Sequence, residues 1–276
     1  MKKFISVILS IIMVVSMFAV SGSAATLKRL DLAFVVDTTG SMYDDIEKVK
    51  NDMENYVDEL EATGMDYRVA IIDYRDFPER SGYGDYPYNV SLDFTDDFDT
   101  IINGINSLTL GSGGDWEETV CSALIDGVEE LSWRSGSGKA VILIGDAPAL
   151  DPEPYTGYTK EMAVNYLNGK DSALEEWSRS AKASAETLEG FDGTVTVFSI
   201  ATDSDAEVVS DFEYLAQETG GKAYTAASSS EISDIVEEII DTIPEVVEED
   251  EQSLWDLIVE FFEMLWYFIT FQWDLI

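Results

Sequence analysis

The sequence of 276 residues contains no histidine and only one cysteine, and this composition limits the chemistry that the protein can perform. Without histidine it lacks the commonest general base, the usual zinc ligand and every Ser-His or Cys-His nucleophile pair. The lone Cys121 cannot form a disulfide within the chain. It shares a helical apolar pattern with Leu124 and Val128, which predicts a small buried hydrophobic residue rather than a reactive thiol.

Basic residues are also scarce, because 16 lysines and arginines stand against 55 aspartates and glutamates, for a formal net charge of −39. Nucleic acids and anionic lipid surfaces are bound by clustered lysine and arginine, so this balance argues against both as partners. It favours solubility and cation binding. Most of these carboxylates are nevertheless expected to lie on a solvated surface.

The first 25 residues have the three parts of a secretory signal peptide. Two lysines precede the apolar run 4–20, and small residues follow at 21–25. We therefore predict a signal peptide over 1–25, cleaved after Ala24 or Ala25, and a secreted or extracellular protein. The alternative is an uncleaved N-terminal anchor, which would hold the protein at the cell surface.

From residue 30 onward, apolar runs typical of buried strands alternate with amphipathic helical patterns. The predicted strands are 30–36, 68–74, 90–94, 140–144, 195–200 and 223–225. The predicted helices are 42–61, 97–107, 117–131, 160–188, 206–218 and 231–243. Such alternation indicates a mostly parallel sheet that is covered on both faces.

We therefore predict one α/β domain over 30–243, built on a doubly wound, mostly parallel six-stranded sheet with helices on both faces. A loop rather than a helix joins the second and third strands, so strand 90–94 is expected to be an antiparallel edge strand. This loop, 75–89, is rich in Gly, Pro and Tyr. It forms either a structured surface loop or part of a binding face.

The C-terminal part differs from this pattern. An acidic linker is predicted over 244–252 and an amphipathic, aromatic-rich helix over 253–276. Glu260 and Glu263 would lie near the middle of a bilayer if this helix spanned one, and each would add a penalty of about 2.5 to 3.5 kcal/mol. Packing against the same chain or a partner, self-association, and binding at a membrane interface stay open as its roles.

Oxygen donors follow the predicted strands at three places. Asp37, Thr39 and Ser41 follow the first strand, Asp115 ends a Gly-rich loop, and Asp146 follows the most apolar strand of the chain. Because ligands collect at the carboxyl ends of strands in such sheets, we expect these side chains to meet. Hard oxygen ligands suit Mg²⁺, Mn²⁺ or Ca²⁺. Ser41 is also expected to be the N-cap of the first helix.

At these residues the sequence resembles the von Willebrand factor type A domain, over most of the predicted α/β domain. The matching motifs are the D-x-T-x-S turn that begins at Asp37, the Gly-Gly-Asp motif that ends at Asp115, and the Asp-Ala-Pro motif that begins at Asp146. Further matches are Tyr-Arg-Asp at 74–76 and Leu-Ser-Trp-Arg at 131–134.

The resemblance implies a metal-ion-dependent adhesion site formed by Asp37, Thr39, Ser41, Asp115 and Asp146. It implies that Thr39 and Ser41 bind the metal through their hydroxyls, and that Asp37 and Asp146 bind it directly or through water. A divalent ion held mainly by neutral oxygens is left short of negative charge. A carboxylate of a protein partner can then complete its coordination, with Mg²⁺ the favoured ion.

Two departures from the family pattern add carboxylates to the second loop. Asp115 stands where many members have a threonine, and Glu117 stands where the Gly-Gly-Asp-x-Pro-Glu pattern has its proline. Extra carboxylates would neutralise the ion and weaken its attraction for an acidic partner.

The sequence therefore predicts a non-enzymatic binding module that engages a protein partner through a divalent cation. One alternative is a structural or assembly protein, in which the C-terminal helix provides self-association or membrane association and the metal only stabilises the domain. Another is a metal-dependent hydrolase. Its general base would have to come from Asp115, Glu117 or Glu118, and the sequence contains no phosphate-binding loop with its lysine.

Overall fold

The computed structural model describes residues 28–82, 84–170 and 193–244. Within them the strands are β1 (Arg29–Asp37), β2 (Asp66–Tyr74), β3 (Asn89–Thr95), β4 (Gly138–Gly145), β5 (Thr196–Ala201) and β6 (Ala223–Thr225). The helices are α1 (Tyr43–Ala62), α2 (Pro78–Ser81), α3 (Phe98–Ser107), α4 (Val120–Ser122, continued by a π-helical stretch Ala123–Gly127), α5 (Lys160–Leu167), α6 (Ala206–Glu218) and α7 (229–244). All six predicted strands are present, with ends that differ from the prediction by at most two residues.

The strands form one sheet in the order β3-β2-β1-β4-β5-β6. Neighbouring strands are parallel except β3, which pairs antiparallel with β2 at the edge. The predicted fold class is therefore confirmed. Successive strands leave β1 in opposite directions across the sheet, so the order reverses between β1 and β4. Ligands bind at such a reversal, outside the carboxyl ends of the strands.

The sheet lies between two apolar layers, and β1 contributes to both because successive side chains of a strand point to opposite faces. Leu32, Phe34 and Val36 pack with the buried faces of α1, α3 and α7. Ala33 and Val35 pack with α4, α5 and α6. This two-sided burial explains why β1 and β4 are continuous apolar runs, and it fixes the carboxyl ends of both strands relative to each other.

Two predicted helices differ from those observed. The helix predicted over 160–188 ends at Leu167, because Asn168 and Gly169, with φ +66° at the glycine, terminate it. The rest of that predicted helix, over 171–188, lies outside the described residues. The helix predicted from residue 117 begins at Val120, because the segment before it is held in an extended bridge between Glu118 and Ala149.

The prediction that Ser41 caps the first helix is wrong. Ser41 lies inside a 3-10 turn, Gly40–Met42, and the N-cap of α1 is Met42, which makes no side-chain capping bond. The buried Cys121 agrees with its predicted role as a small apolar residue.

The loop 75–89 is structured where it is described, and it contains α2. The predicted signal peptide at 1–25 and the C-terminal helix at 253–276 lie outside the described residues. The predicted linker at 244–252 also lies outside them except for Pro244, which is part of α7. In the part of the chain that is described, no helix combines the length and the apolar character needed to cross a membrane.

Candidate metal centre

The first wall of the site is the turn that follows β1. Asp37 is the last residue of β1 and is fully buried, and its Oδ1 accepts hydrogen bonds from the backbone N–H and the hydroxyl of Thr39, both at 2.8 Å. The hydroxyl of Ser41 lies 3.2 Å from that of Thr39. The turn therefore links the Asp37 carboxylate to the hydroxyl of Thr39, and that hydroxyl to the hydroxyl of Ser41, at the carboxyl end of β1.

The second wall is the Gly-rich loop before α4. Its Gly111 N–H donates to the carbonyl oxygen of Thr38 at 2.8 Å, which attaches the loop to the first turn. Gly113 has φ +64°, and a Cβ there would lie 3.2 Å from the Thr39 methyl carbon and 3.1 Å from Glu118 Oε1. Glycine is therefore required for both the backbone conformation and the close approach.

The third wall is Asp146, which directly follows β4. The loop after it is tied to the Gly-rich loop, because the Glu118 N–H donates to the Pro148 carbonyl and the Leu150 N–H donates to the Glu118 carbonyl, both at 2.9 Å. Asp146 is half-buried. The register that pairs Val36 with Ile144 brings the ends of β1 and β4 together, so Asp146 reaches the pocket from the neighbouring strand.

The three walls enclose a pocket of about 300 Å³. Its lining residues are Thr39, Ser41, Ser112, Gly113, Gly114, Asp115, Trp116, Glu118, Asp146 and Ala147. Three carboxyl oxygens at this site, Asp37 Oδ2, Glu118 Oε2 and Asp146 Oδ1, are buried and have no hydrogen-bond partner among the described residues. A buried carboxylate oxygen without a partner is costly, so these atoms are suited to a bound cation.

The electrostatics of the pocket agree with that interpretation. Burial, and then the charge of Asp146, raise the pKa of Asp37 to about 7. Burial, and then Asp37, raise the pKa of Glu118 still further. Burial also raises the pKa of Asp146, although its hydrogen bond from Ser41 opposes that shift. Like charges thus destabilise the ionised state of these carboxylates, and a divalent ion would relieve the repulsion.

Asp115 and Glu118 differ in how they contribute to the pocket. Asp115 lines it, but its half-exposed carboxylate forms an ion pair with Arg80 of α2. Glu118 is 3% exposed and directs an oxygen without a hydrogen-bond partner into the cluster. In the sequence Glu118 was considered only as a possible base. Its position after the Gly-Gly-Asp motif was the available signal, and the backbone bridge to Ala149 determines its burial.

Arg75 is a second residue whose role the sequence did not reveal. It is 4% exposed, and it donates from Nε to the Thr38 hydroxyl at 2.9 Å and from Nη1 to the Gly84 carbonyl at 3.1 Å. Its Nη2 donates to the Thr109 carbonyl, and its own carbonyl accepts from the Thr119 N–H at 3.0 Å. Arg75 therefore joins the turn after β1, the loop 75–89 and the Gly-rich loop.

The residues present fit a divalent ion held by hydroxyl and carboxylate oxygens. Among the described residues, no three acidic, cysteine or histidine side chains converge to form a metal cage by themselves. A cation at this pocket would consequently depend on the hydroxyls of Thr39 and Ser41 as well as on Asp37, Glu118 and Asp146. Such a ligand set leaves room for an oxygen from outside the chain.

Sequence comparison gives a family for most of the domain. A family model described as "von Willebrand factor A domain" matches residues 31–228. A similar curated protein, "Alpha-protein kinase vwkA" of Dictyostelium discoideum, is 28% identical over 148 residues, which are 53% of this chain and 22% of that protein. The matched part is thus about a fifth of the length of that relative.

Comparison with solved structures finds similar chains at low sequence identity. Proximal thread matrix protein 1 from the mussel byssus has a TM-score of 0.51 and 16% identity, over 78% of this chain and 46% of that chain. The same protein with a zinc-occupied MIDAS motif has a TM-score of 0.49 and 17% identity, over the same shares. An aerotolerance-related membrane protein from Bacteroides fragilis NCTC 9343 has a TM-score of 0.47 and 14% identity, over 77% and 99%. Because the family model covers most of the chain and the fold agrees with it, this protein belongs to the von Willebrand factor A domain family.

Proposed function

We propose that this protein is a secreted or cell-surface binding module that engages a protein partner through a divalent cation held at the switch point of the sheet. Domains of its family typically mediate protein–protein interaction and are generally non-enzymatic. Mg²⁺ is the favoured ion, with Mn²⁺ and Ca²⁺ as alternatives, because the donors are all oxygens.

The observation that carries this proposal is the group of buried carboxyl oxygens without hydrogen-bond partners, Asp37 Oδ2, Glu118 Oε2 and Asp146 Oδ1, beside the hydroxyls of Thr39 and Ser41. A fold that buries these atoms without internal partners gives up stability at this point. Charge neutralisation by a bound cation offsets that cost. A bound cation would therefore explain why the fold buries these oxygens.

The chain's own residues would each do a distinct part of the binding. Thr39 and Ser41 would offer neutral oxygens, and Asp37, held at Oδ1 by Thr39, would direct its free Oδ2 to the ion. Asp146 and Glu118 would supply the remaining negative charge. When bound, the ion supplies a strong electrostatic attraction for a carboxylate of the partner. The pocket opens beside the half-exposed Trp116, which would contact the partner next to that carboxylate.

Titration calorimetry with Mg²⁺ tests the proposal, using the mature chain and Asp37→Ala. We expect one Mg²⁺ site in the wild type and its loss in Asp37→Ala. Asp58→Ala is the matched control, because it removes an exposed acidic residue of α1 far along the helix from the site. Absence of Mg²⁺, Mn²⁺ and Ca²⁺ binding, or binding that Asp37→Ala leaves unaltered, would refute the proposal.

The partner is tested separately by capture from cell surfaces in Mg²⁺ and in chelator. A protein retained by the wild type in Mg²⁺, released by chelator and absent with Asp37→Ala is the expected result. A protein retained equally under all three conditions would contact another surface, and cation-mediated recognition would then be wrong.

A further inference from the structure

Arg80 connects three carboxylates at the rim of the metal pocket. It lies on α2, and its guanidinium forms ion pairs with Asp76 at 3.5 Å, with Glu117 at 3.5 Å and with Asp115 at shorter range. Asp76 is fully buried, and its Oδ1 also accepts from the Phe77 N–H at 2.7 Å. Arg80 therefore lies between the buried Asp76 and the two acidic residues of the Gly-rich loop, Asp115 and Glu117.

The backbone brings Asp115 to Arg80. Gly114 lies so close to α2 that a Cβ there would be 2.6 Å from Asp76 Oδ2 and 2.8 Å from the Cα of Ser81. A larger residue would push the loop away from α2. With glycine at this position, Asp115 can pair its carboxylate with the guanidinium while it still lines the pocket.

We propose that Arg80 is a specificity-determining residue that holds the Asp115 carboxylate off the cation, so that the ion keeps its attraction for an acidic partner. This inference rests on the proposed function, because it concerns the same cation. Without Arg80, the half-exposed carboxylate of Asp115 would lose its partner and could turn toward the ion, since Asp115 already lines the pocket. If Asp115 bound the ion, it would occupy the coordination position of the partner's carboxylate and supply the negative charge that this carboxylate would otherwise bring.

The geometry favours retention by Arg80 in the wild type. An isolated, half-exposed ion pair contributes little, but the guanidinium of Arg80 is shared by three carboxylates. Asp115 accepts a hydrogen bond from Nη2, and Asp76 and Glu117 form ion pairs with the same guanidinium at 3.5 Å. Asp115 thus loses favourable contacts if it moves to the cation. Glu117 is paired with the same arginine, so the single positive charge of Arg80 is shared between both of these acidic side chains of the loop.

Mg²⁺ affinity measured by calorimetry tests the proposal through four proteins: wild type, R80Q, D115N and the double variant. We expect D115N to change the affinity by about twofold or less, because Asp115 does not bind the ion in the wild type. We expect R80Q to raise the affinity about tenfold, since affinity at such sites follows the charge of the ligand set. When D115N is already present, adding R80Q should change the Mg²⁺ affinity by about twofold or less.

Two controls separate this result from a general charge effect. R29Q removes the same charge from a half-exposed arginine at the opposite end of β1 and should leave the Mg²⁺ affinity unchanged. With Mn²⁺ in place of Mg²⁺, water-proton relaxation reports the waters on the ion. R80Q should lose about one water, and the double variant should regain it, because an Asp115 oxygen replaces that water only when Arg80 is absent.

Three outcomes would overturn the inference. The first is a wild type whose affinity D115N lowers about tenfold, which would make Asp115 a resident ligand. The second is an R80Q effect on Mg²⁺ affinity that is equally large with and without D115N, which would show that only the lost positive charge matters. The third is an R80Q affinity at or below that of the wild type. None of these affects the Asp37→Ala test, so this inference can fail while the proposed function stands. A wild type without cation binding would overturn both.

Discussion

The Nε of Arg75 donates to the hydroxyl of Thr38 across 2.9 Å, although Thr38 itself lies between Asp37 and Thr39, the two residues that begin the candidate metal site. Thr38 also donates its N–H to the Tyr74 carbonyl at 3.0 Å, which extends the pairing of β1 and β2 past the end of the strand. Thr38 is thus held inside the protein by Arg75 and Tyr74. Its fixed position orients its two neighbours, Asp37 and Thr39, toward the candidate metal site.

We expect Arg75→Lys to destabilise the fold by about 3 kcal/mol, because a lysine cannot contact Thr38, Thr109 and Gly84 at once and leaves buried carbonyl oxygens without partners. Asp85, 6% exposed and 3.7 Å from Arg75, would also lose part of its pairing. Urea unfolding with matched Arg29→Lys measures the effect. Arg29 belongs to a half-exposed pair, so its replacement should cost about 1 kcal/mol or less. Equal effects of the two substitutions would show that the Arg75 contacts add nothing.

Asp37→Asn should stabilise the protein in chelator at pH 8, by about 1 to 2 kcal/mol, because it removes a buried charge next to Asp146 and keeps Oδ1 as an acceptor for Thr39. In saturating Mg²⁺ the order should reverse. The wild type gains about 2.7 kcal/mol when the ion concentration is 100 times its Kd, and the variant gains nothing. Thermal unfolding in both buffers provides the measurement.

Asp58→Asn, on the exposed side of α1, is the control. It should change the stability little, both in chelator and in saturating Mg²⁺. If Asp37→Asn lowered the stability of the metal-free protein, the carboxylate would have a favourable role in the empty site. The interpretation of Asp37 as a residue held in place for a cation would then be wrong.

Most of the fold follows from local patterns in the sequence. The apolar runs of β1, β2, β4 and β5 predict strands because these strands are largely buried, and the loop between β2 and β3 predicts the antiparallel edge. The end of α5 is also predictable, since Asn168-Gly169 is a helix stop signal. The helical pattern that continues to residue 188 led to the longer prediction. The 3-10 turn at Gly40–Met42 was not readable, because it depends on how Asp37 holds Thr39.

The site is readable in part. Asp37, Thr39, Ser41 and Asp146 stand at strand ends, and a parallel sheet brings strand ends together. The choice between Asp115 and Glu118 is different, because the two lie three positions apart in one loop and their roles depend on distant partners. Arg80 binds the first, and pairing with the segment after β4 buries the second. No local pattern contains those contacts.

Gly111→Ala should weaken Mg²⁺ binding and destabilise the fold by about 1 to 3 kcal/mol, the usual cost of overpacking. A Cβ at Gly111 would lie 2.2 Å from Asp85 Oδ1 and 2.5 Å from Arg75 Cδ, so the loop would have to move away from Thr38. Gly40→Ala adds the same methyl group at the opposite wall, where the nearest atom is 3.5 Å away, and should be tolerated. Calorimetry and urea unfolding compare the two. Similar losses in both variants would contradict the close packing of the loop.

Glu153 makes the stability of the protein depend on pH independently of the metal site. It is 1% exposed, and its carboxylate accepts from the Ser122 N–H at 2.8 Å and the Thr156 hydroxyl at 2.6 Å. Burial nevertheless raises its pKa from 4.5 to about 7, against the effect of these hydrogen bonds. Between these two values the folded state therefore binds more protons than the unfolded state.

A carboxyl group whose pKa is higher in the folded state contributes most to stability below its unfolded pKa, and that contribution is lost as pH rises through the folded pKa. We therefore expect the unfolding free energy of the wild type, minus that of Glu153→Gln, to fall between pH 4.5 and pH 8 by up to about 3 kcal/mol. Urea unfolding in chelator at several pH values measures this difference. Glu54→Gln, an exposed site on α1, should give a flat difference. A wild-type advantage that grows with pH would mean that the Glu153 carboxylate is more stable charged inside the fold than in the unfolded chain.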